Sequence, residues 1–255
     1  MRLLFALLIL MSSLPSRAAE TFFRLDTRPN VTVPVFYIKV DKPIATVVLL
    51  PGGSGKFGKL VDGKPSGENF LVRARDEFAN AGFNVAIMGP PSDGLDLMGK
   101  ARVSAEHILD IKTLVDFLKK DTGLPIWLVG TSRGTISATA AAIAFGNDAL
   151  AGIVLTSSIV SYKDPANVPA QDLEKIRIPA LVLHNEKDAC VWCAPYEVKN
   201  IMKGLKNSAT KKLVMVNGGE NPTGNACEAL HYHGFIGIEK PTVETITNWI
   251  KNPSL

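Results

Sequence analysis

Apolar residues along the chain gather into short dense runs rather than an even scatter. Runs at 45–50, 84–88, 125–129, 152–155, 179–183 and 212–216 are four to six residues long and do not alternate with polar positions. That pattern predicts parallel strands covered by helices on both faces. Two earlier runs, 21–28 and 31–40, are rich in β-formers and flank Pro29-Asn30, a turn signal. Pro34 inside the second run predicts an edge strand or a bulge. Between the strands the period changes. Ile108, Ile111, Leu114, Val115 and Leu118 share one face of a helix over 104–120. Phe70, Ala74 and Phe78 stand four apart and predict another, with Gly82 as its stop. Val243, Ile246 and Ile250 lie on one side of a last helix opened by Pro241.

Strands alternating with helices predict an α/β fold with a mostly parallel central sheet and helices on both faces. The stretch 157–177 is short, so little or no lid is expected. Composition agrees with one globular unit: 255 residues, 46% hydrophobic and 20% charged. The formal net charge is +4, and Arg2 and Arg17 supply two of those charges. A surplus that small, with no basic stripe, gives no reason to expect nucleic acid as a partner.

The first residues read as a separate unit. A positive start at Arg2 precedes an unbroken apolar run at 3–11, then Ser16-Arg17-Ala18 with small residues at both ends. This is the layout of a secretory signal peptide at 1–18, leaving one domain at 19–255. A membrane anchor is the competing reading, but it needs about 20 apolar residues. The expectation is an exported protein, periplasmic or secreted, free of the membrane after cleavage. Oligomeric state is not readable.

Gly130-Thr131-Ser132-Arg133-Gly134 carries the chemistry. It follows a strand pattern and opens an alanine-rich helix pattern at 134–145. A strand, a tight turn and a helix force the serine into a strained backbone and expose its hydroxyl. The helix N-terminus below favours developing negative charge. In this context the chain resembles the α/β-hydrolase superfamily, nearest to its compact, dienelactone-hydrolase-like serine hydrolases, from about residue 45 onward.

The resemblance implies a nucleophile, acid, histidine order. Ser132 is then the nucleophile. Asp188, a few residues past the run at 179–183, sits where the family places its acid, with Glu186 as the alternative. His233 is favoured over His231 because His233-Gly234-Phe235 resembles the hydrolase pattern. An extended backbone there would point only one of the two histidines at Ser132. His107 and His184 read as structural groups.

An oxyanion hole is also implied, from the N–H of Arg133 and an N–H of Gly53 or Ser54 in the loop Pro51-Gly52-Gly53-Ser54-Gly55. A phosphate loop is the rival for that glycine run, but no Gly-Lys-Ser/Thr follows it. The Arg133 side chain either binds a substrate carboxylate or caps a neighbouring element.

The cysteines are Cys190, Cys193 and Cys227. If acid and histidine loops adjoin, a Cys190–Cys227 disulfide would clip them together, as export permits. A zinc site at Cys190, Cys193, Cys227, His231 and His233 competes, but it would consume the histidine that the serine needs.

The chemistry so read needs no cofactor and no metal. It is carboxylic-ester hydrolysis on a small-molecule ester, through an acyl-enzyme. A peptidase or thioesterase with the same triad, or a catalytically silent binding protein on this fold, are the alternatives.

Overall fold

The computed structural model describes residues 18–254; the signal-peptide reading at 1–18 falls almost wholly outside them. The strands are β1 (Ala19–Arg28), β2 (Val31–Lys39), β3 (Ala45–Leu50), β4 (Leu60–Val61), β5 (Lys64–Pro65), β6 (Phe83–Met88), β7 (Ile126–Thr131), β8 (Gly152–Thr156), β9 (Ala180–Asn185) and β10 (Lys211–Val216). The helices are α1 (Phe70–Arg73), α2 (Arg75–Asn80), α3 (Ala105–Thr122), α4 (Arg133–Phe145), α5 (Lys199–Gly204) and α6 (Glu239–Lys251).

Eight strands form one sheet in the order β1-β2-β6-β3-β7-β8-β9-β10, while β4 and β5 make a separate small hairpin. The first two strands pair antiparallel and β2 is antiparallel to β6; the rest of the sheet is parallel. β3, β6, β7, β8 and β9 are buried along their whole length, which is why their sequences do not alternate. Alternate residues of one strand still feed different cores. Val48 and Leu50 pack with α3, α4 and α5 on one face. Val47 and Leu49 pack with α1, α2 and α6 on the other, where Trp127 meets Trp249 edge-on at 5.7 Å. This is the mostly parallel α/β architecture that the pattern predicts.

Three local expectations change. β2 is not an edge strand, because β1 lies outside it. Pro34 is tolerated at the end of the β2–β6 ladder, where its carbonyl still accepts from the Gly89 N–H at 2.9 Å and only one donor is lost. The bulge lies instead in β1, between Asp26 and Arg28. The helix expected through Phe70, Ala74 and Phe78 breaks at Ala74 into α1 and α2, while its apolar side stays buried. Last, α6 begins at Glu239, so Pro241 falls within its first turn, where a missing N–H costs nothing.

Sequence neighbours lie on both sides of β3: the chain passes to β6 on one side, then crosses back to β7 on the other. Crevices at such reversals, at the carboxyl ends of the strands, are where open α/β sheets take ligands. The loop after β3 and the turn after β7 both end there. Between β8 and β9 the described chain holds only two single 3-10 turns, Val168–Ala170 and Leu173–Lys175, and no helical cap.

Candidate active site

Ser132 links β7 to α4 with φ 52° and ψ −125°, a conformation that a residue with a side chain rarely adopts. Two glycines make it possible. A Cβ on Gly134 would stand 1.9 Å from the Leu50 carbonyl oxygen, and one on Gly130 would stand 2.5 Å from the Gly134 oxygen. The turn is closed by the Ser132 N–H donating to the Thr156 oxygen and by the Thr135 hydroxyl donating to the Ser132 oxygen at 2.6 Å. Strain held this way presents the serine at the mouth of a cavity of about 310 Å³, which Gly53, Asn69 and His233 also line.

Asp188 and His233 come together. His233 Nδ1 donates to Asp188 Oδ2 at 2.9 Å, with both side chains buried. A carboxylate bound at Nδ1 fixes the tautomer and leaves the Nε2 lone pair free. The other Asp188 oxygen accepts from the Cys190 N–H at 2.9 Å, so the acid is oriented from two sides. Glu186 turns away and accepts from Asn217 at the surface. His231 packs edge-on against Tyr232. The backbone at 232–234 is a 3-10 turn, not the extended chain assumed for the alternation argument. The turn itself, not strand alternation, aims His233 at Asp188.

Cys190 and Cys227 form a disulfide, which joins the acid loop to the histidine loop across 37 positions. Two of the sulfurs required by the zinc alternative are therefore bonded to each other. Cys193 is free, buried, and close to Ser132 and His233; burial pushes its thiol well above the usual range. Such a thiol carries almost no thiolate, and it stands within hydrogen-bonding reach of the Ser132 side chain.

Gly53 and Arg133 lie together on the wall of a second, smaller cleft of about 190 Å³ beside Ser132. The Gly53 N–H is directed away from the Gly52 carbonyl, which accepts from the Gly55 N–H at 2.9 Å, because the peptide unit is planar and trans. Arg133 occupies the first position of α4, where a helical N–H has no partner within the helix. The Arg133 guanidinium pairs with Asp164 at 2.9 Å, so its cation is engaged with a neighbouring loop.

Several supporting residues carry no motif. Ser157, at φ 44°, donates its hydroxyl to the His233 carbonyl at 2.8 Å. Arg73 bonds the carbonyls of Ala229 and Gly234 and pairs with Glu239 at 2.7 Å, clamping the histidine loop from α1. His184 accepts from the Ser158 N–H at 2.6 Å, and burial pushes its imidazole down to about 3. Arg102 is buried beneath the glycine loop. A positive φ after β8 in the run Thr156-Ser157-Ser158 has no sequence signature, and the two arginines act on carbonyls far away in the chain.

No family model and no curated protein sequence matches the chain. Solved structures do. A dienelactone hydrolase from Anabaena variabilis superposes with a TM-score of 0.62 at 15% identity, covering 93% of this chain and 99% of that one. An esterase from Pyrococcus furiosus gives 0.64 at 14% identity, covering 93% and 92%. A serine hydrolase without lid from Xanthomonas campestris gives 0.57 at 14% identity, covering 91% and 96%. The fold is that of the α/β-hydrolases, with the dienelactone hydrolase and esterases among its structural neighbours.

Proposed function

We propose that the protein is a serine hydrolase that cleaves carboxylic esters through an acyl-enzyme on Ser132. One observation carries this reading. A serine held in a strained turn opens onto the same cavity as a histidine whose Nδ1 is fixed by a buried carboxylate. In the first step His233 Nε2 takes the Ser132 proton as Oγ attacks the ester carbon. The N–H of Arg133 and one from the glycine loop, Gly53 or Ser54, receive the developing oxyanion. Collapse of the intermediate breaks the bond to the alcohol, which leaves with the proton from His233. Water then repeats the sequence, releasing the acid and restoring Ser132. Asp188 holds the tautomer and stabilises the imidazolium.

Proton transfer also orients the substrate. The leaving alcohol must lie on the His233 side, in the larger cavity, where Lys56, Asn69 and Glu228 offer polar contacts. The acyl group then enters the smaller cleft, walled by Met98, Ile159, Trp192 and the disulfide. A cleft of that size favours short apolar acyl chains. Residues 1–18 act in this reading as a removable export signal. A disulfide, and the lack of any helix in the described residues able to cross a membrane, fit that location.

The test is a series of p-nitrophenyl esters from acetate to decanoate, alongside matched anilides and thioesters. The reading expects kcat/KM to peak at short acyl chains and the esters to exceed the anilides. Turnover of anilides alone would make the protein an amidase, and no turnover of any arm would overturn the reading.

A further inference from the structure

The glycine loop after β3 has three successive carbonyls, and each accepts a hydrogen bond. The middle one, Gly52, is met by the Gly55 N–H. The outer two, Pro51 and Gly53, are both met by one group, Arg102 Nη2, at 3.1 and 2.8 Å. Arg102 sits in a 3-10 turn, Lys100–Val103, between the loop and α4, and is only 1% exposed. Its Nε donates to the Leu97 carbonyl at 2.7 Å and its Nη1 to the Ser137 hydroxyl at 2.9 Å. Ser137, on α4, is in turn 2.9 Å from His107 Nε2. Each partner is a neutral acceptor. Among the described residues no carboxylate pairs with this cation.

A buried guanidinium without a counter-ion is costly, and it persists only where its hydrogen bonds are well made. Here those bonds fix the two peptide planes, Pro51–Gly52 and Gly53–Ser54, that flank the Gly52–Gly53 peptide. A trans peptide points its N–H opposite its carbonyl. Holding the Pro51 and Gly53 oxygens down toward Arg102 therefore turns the N–H groups of Gly52 and Ser54 away from it. The Gly52–Gly55 bond fixes the remaining plane, that of the Gly53 N–H. At φ 54° Gly53 would otherwise be among the most mobile residues of the loop, and a Cβ there would meet nothing within 4 Å.

We propose that Arg102 is a positioning residue for the oxyanion-binding loop: its guanidinium, tied to Pro51, Gly53, Leu97 and Ser137, sets the direction of the Ser54 N–H and clamps the peptides on either side of the Gly53 N–H, the two loop donors available to the oxyanion. The proposal rests on the serine-hydrolase reading of Ser132. It also explains why Ser137 and His107 are buried polar residues away from the triad: they complete the cradle of the guanidinium. Burial is the main cause holding the Arg102 pKa down, to about 9, with Arg133 adding to it, and the group remains a cation near neutral pH. Its charge therefore also adds positive potential beneath the loop.

The test uses the full chain with Arg102→Met and Arg102→Lys. It reads kcat and KM separately on a short-chain p-nitrophenyl ester, with inhibition by a trifluoromethyl ketone, which forms an oxyanion on the serine. A donor lost from an oxyanion hole lowers kcat by about 100-fold or more. Arg102→Met is expected to show a loss of that order, with KM within about threefold and inhibitor affinity falling in parallel with kcat/KM. Arg102→Lys keeps the charge but not the fork, and is expected to lose at least about tenfold in kcat. If Arg102→Met does not fold, Arg102→Lys decides by the same criteria. A folded variant with wild-type kcat, or with raised KM alone, would overturn the proposal while leaving the hydrolase reading intact. A wild type that neither hydrolyses esters nor binds the ketone would overturn both.

Discussion

The two flanks of Ser132 are built in different ways. On one, the acid and histidine loops are joined by a covalent bond, Cys190–Cys227, and by the buried Asp188–His233 pair. On the other, the glycine loop is held only by hydrogen bonds, most of them from one buried arginine. The first flank has to keep two side chains in register across 45 positions of sequence. The second, in the proposed mechanism, has to aim backbone N–H groups, which carry no side chain to lock. A cross-link suits the first task. A planar cation with several donors suits the second, because it can bind neighbouring carbonyls at once.

This contrast can be broken from either flank, and the largest effect is expected at the acid. Asp188→Asn keeps the shape but favours the wrong histidine tautomer, and kcat should fall by about 10⁴-fold with little change in KM. Steady-state ester kinetics check this; a loss below about tenfold would mean that Asp188 does not orient the base. Next comes the clip. Replacing Cys190 and Cys227 together by serine should destabilise the chain by about 2–4 kcal/mol, read from urea unfolding. The loss should appear chiefly as stability, since the Asp188–His233 bond and the Arg73 clamp remain.

Acidification reaches both flanks and is the smallest effect per group. His107, on the arginine side, and His184, on the acid side, are each depressed to about 3, with burial as the main cause. Unfolded histidine titrates near 6.5. Between those values the unfolded chain binds more protons than the folded one. The stability each contributes is thus present above about 6.5 and is lost as pH falls toward 3. A drop from pH 6.5 to 5.5 should remove about 1 kcal/mol per histidine. Unfolding free energies across this range would show it, and His107→Gln or His184→Gln should each flatten the slope. An unchanged slope in both variants would assign the acid sensitivity to other groups.

The same division separates what was legible in the sequence from what was not. The central strands were readable because burial on both faces removes alternation, and they fall within a residue or two of 45–50, 84–88 and 152–155. The break at Ala74 was not, because the apolar side continues through it and no proline or glycine marks it. Ser132 stood out because the turn around it needs glycine two residues away on each side, at Gly130 and Gly134, where a Cβ would clash with main chain. Asp188 and His233 followed from chain order, and the structure brings them together. Arg102, Arg73 and Ser157 left no trace, because they act on main-chain carbonyls, which every residue carries. Arg73 reaches the Gly234 carbonyl across 161 positions, a relation that no local pattern can encode.

The central claim, that Ser132 is a nucleophile activated at this site, is most directly tested by fluorophosphonate labelling of the wild type and of Ser132→Ala, with the modified residue located by mass spectrometry. The account predicts one phosphonylated residue, Ser132, and no labelling of the variant. Labelling that survives in Ser132→Ala, or a wild type that takes up no probe, would contradict it.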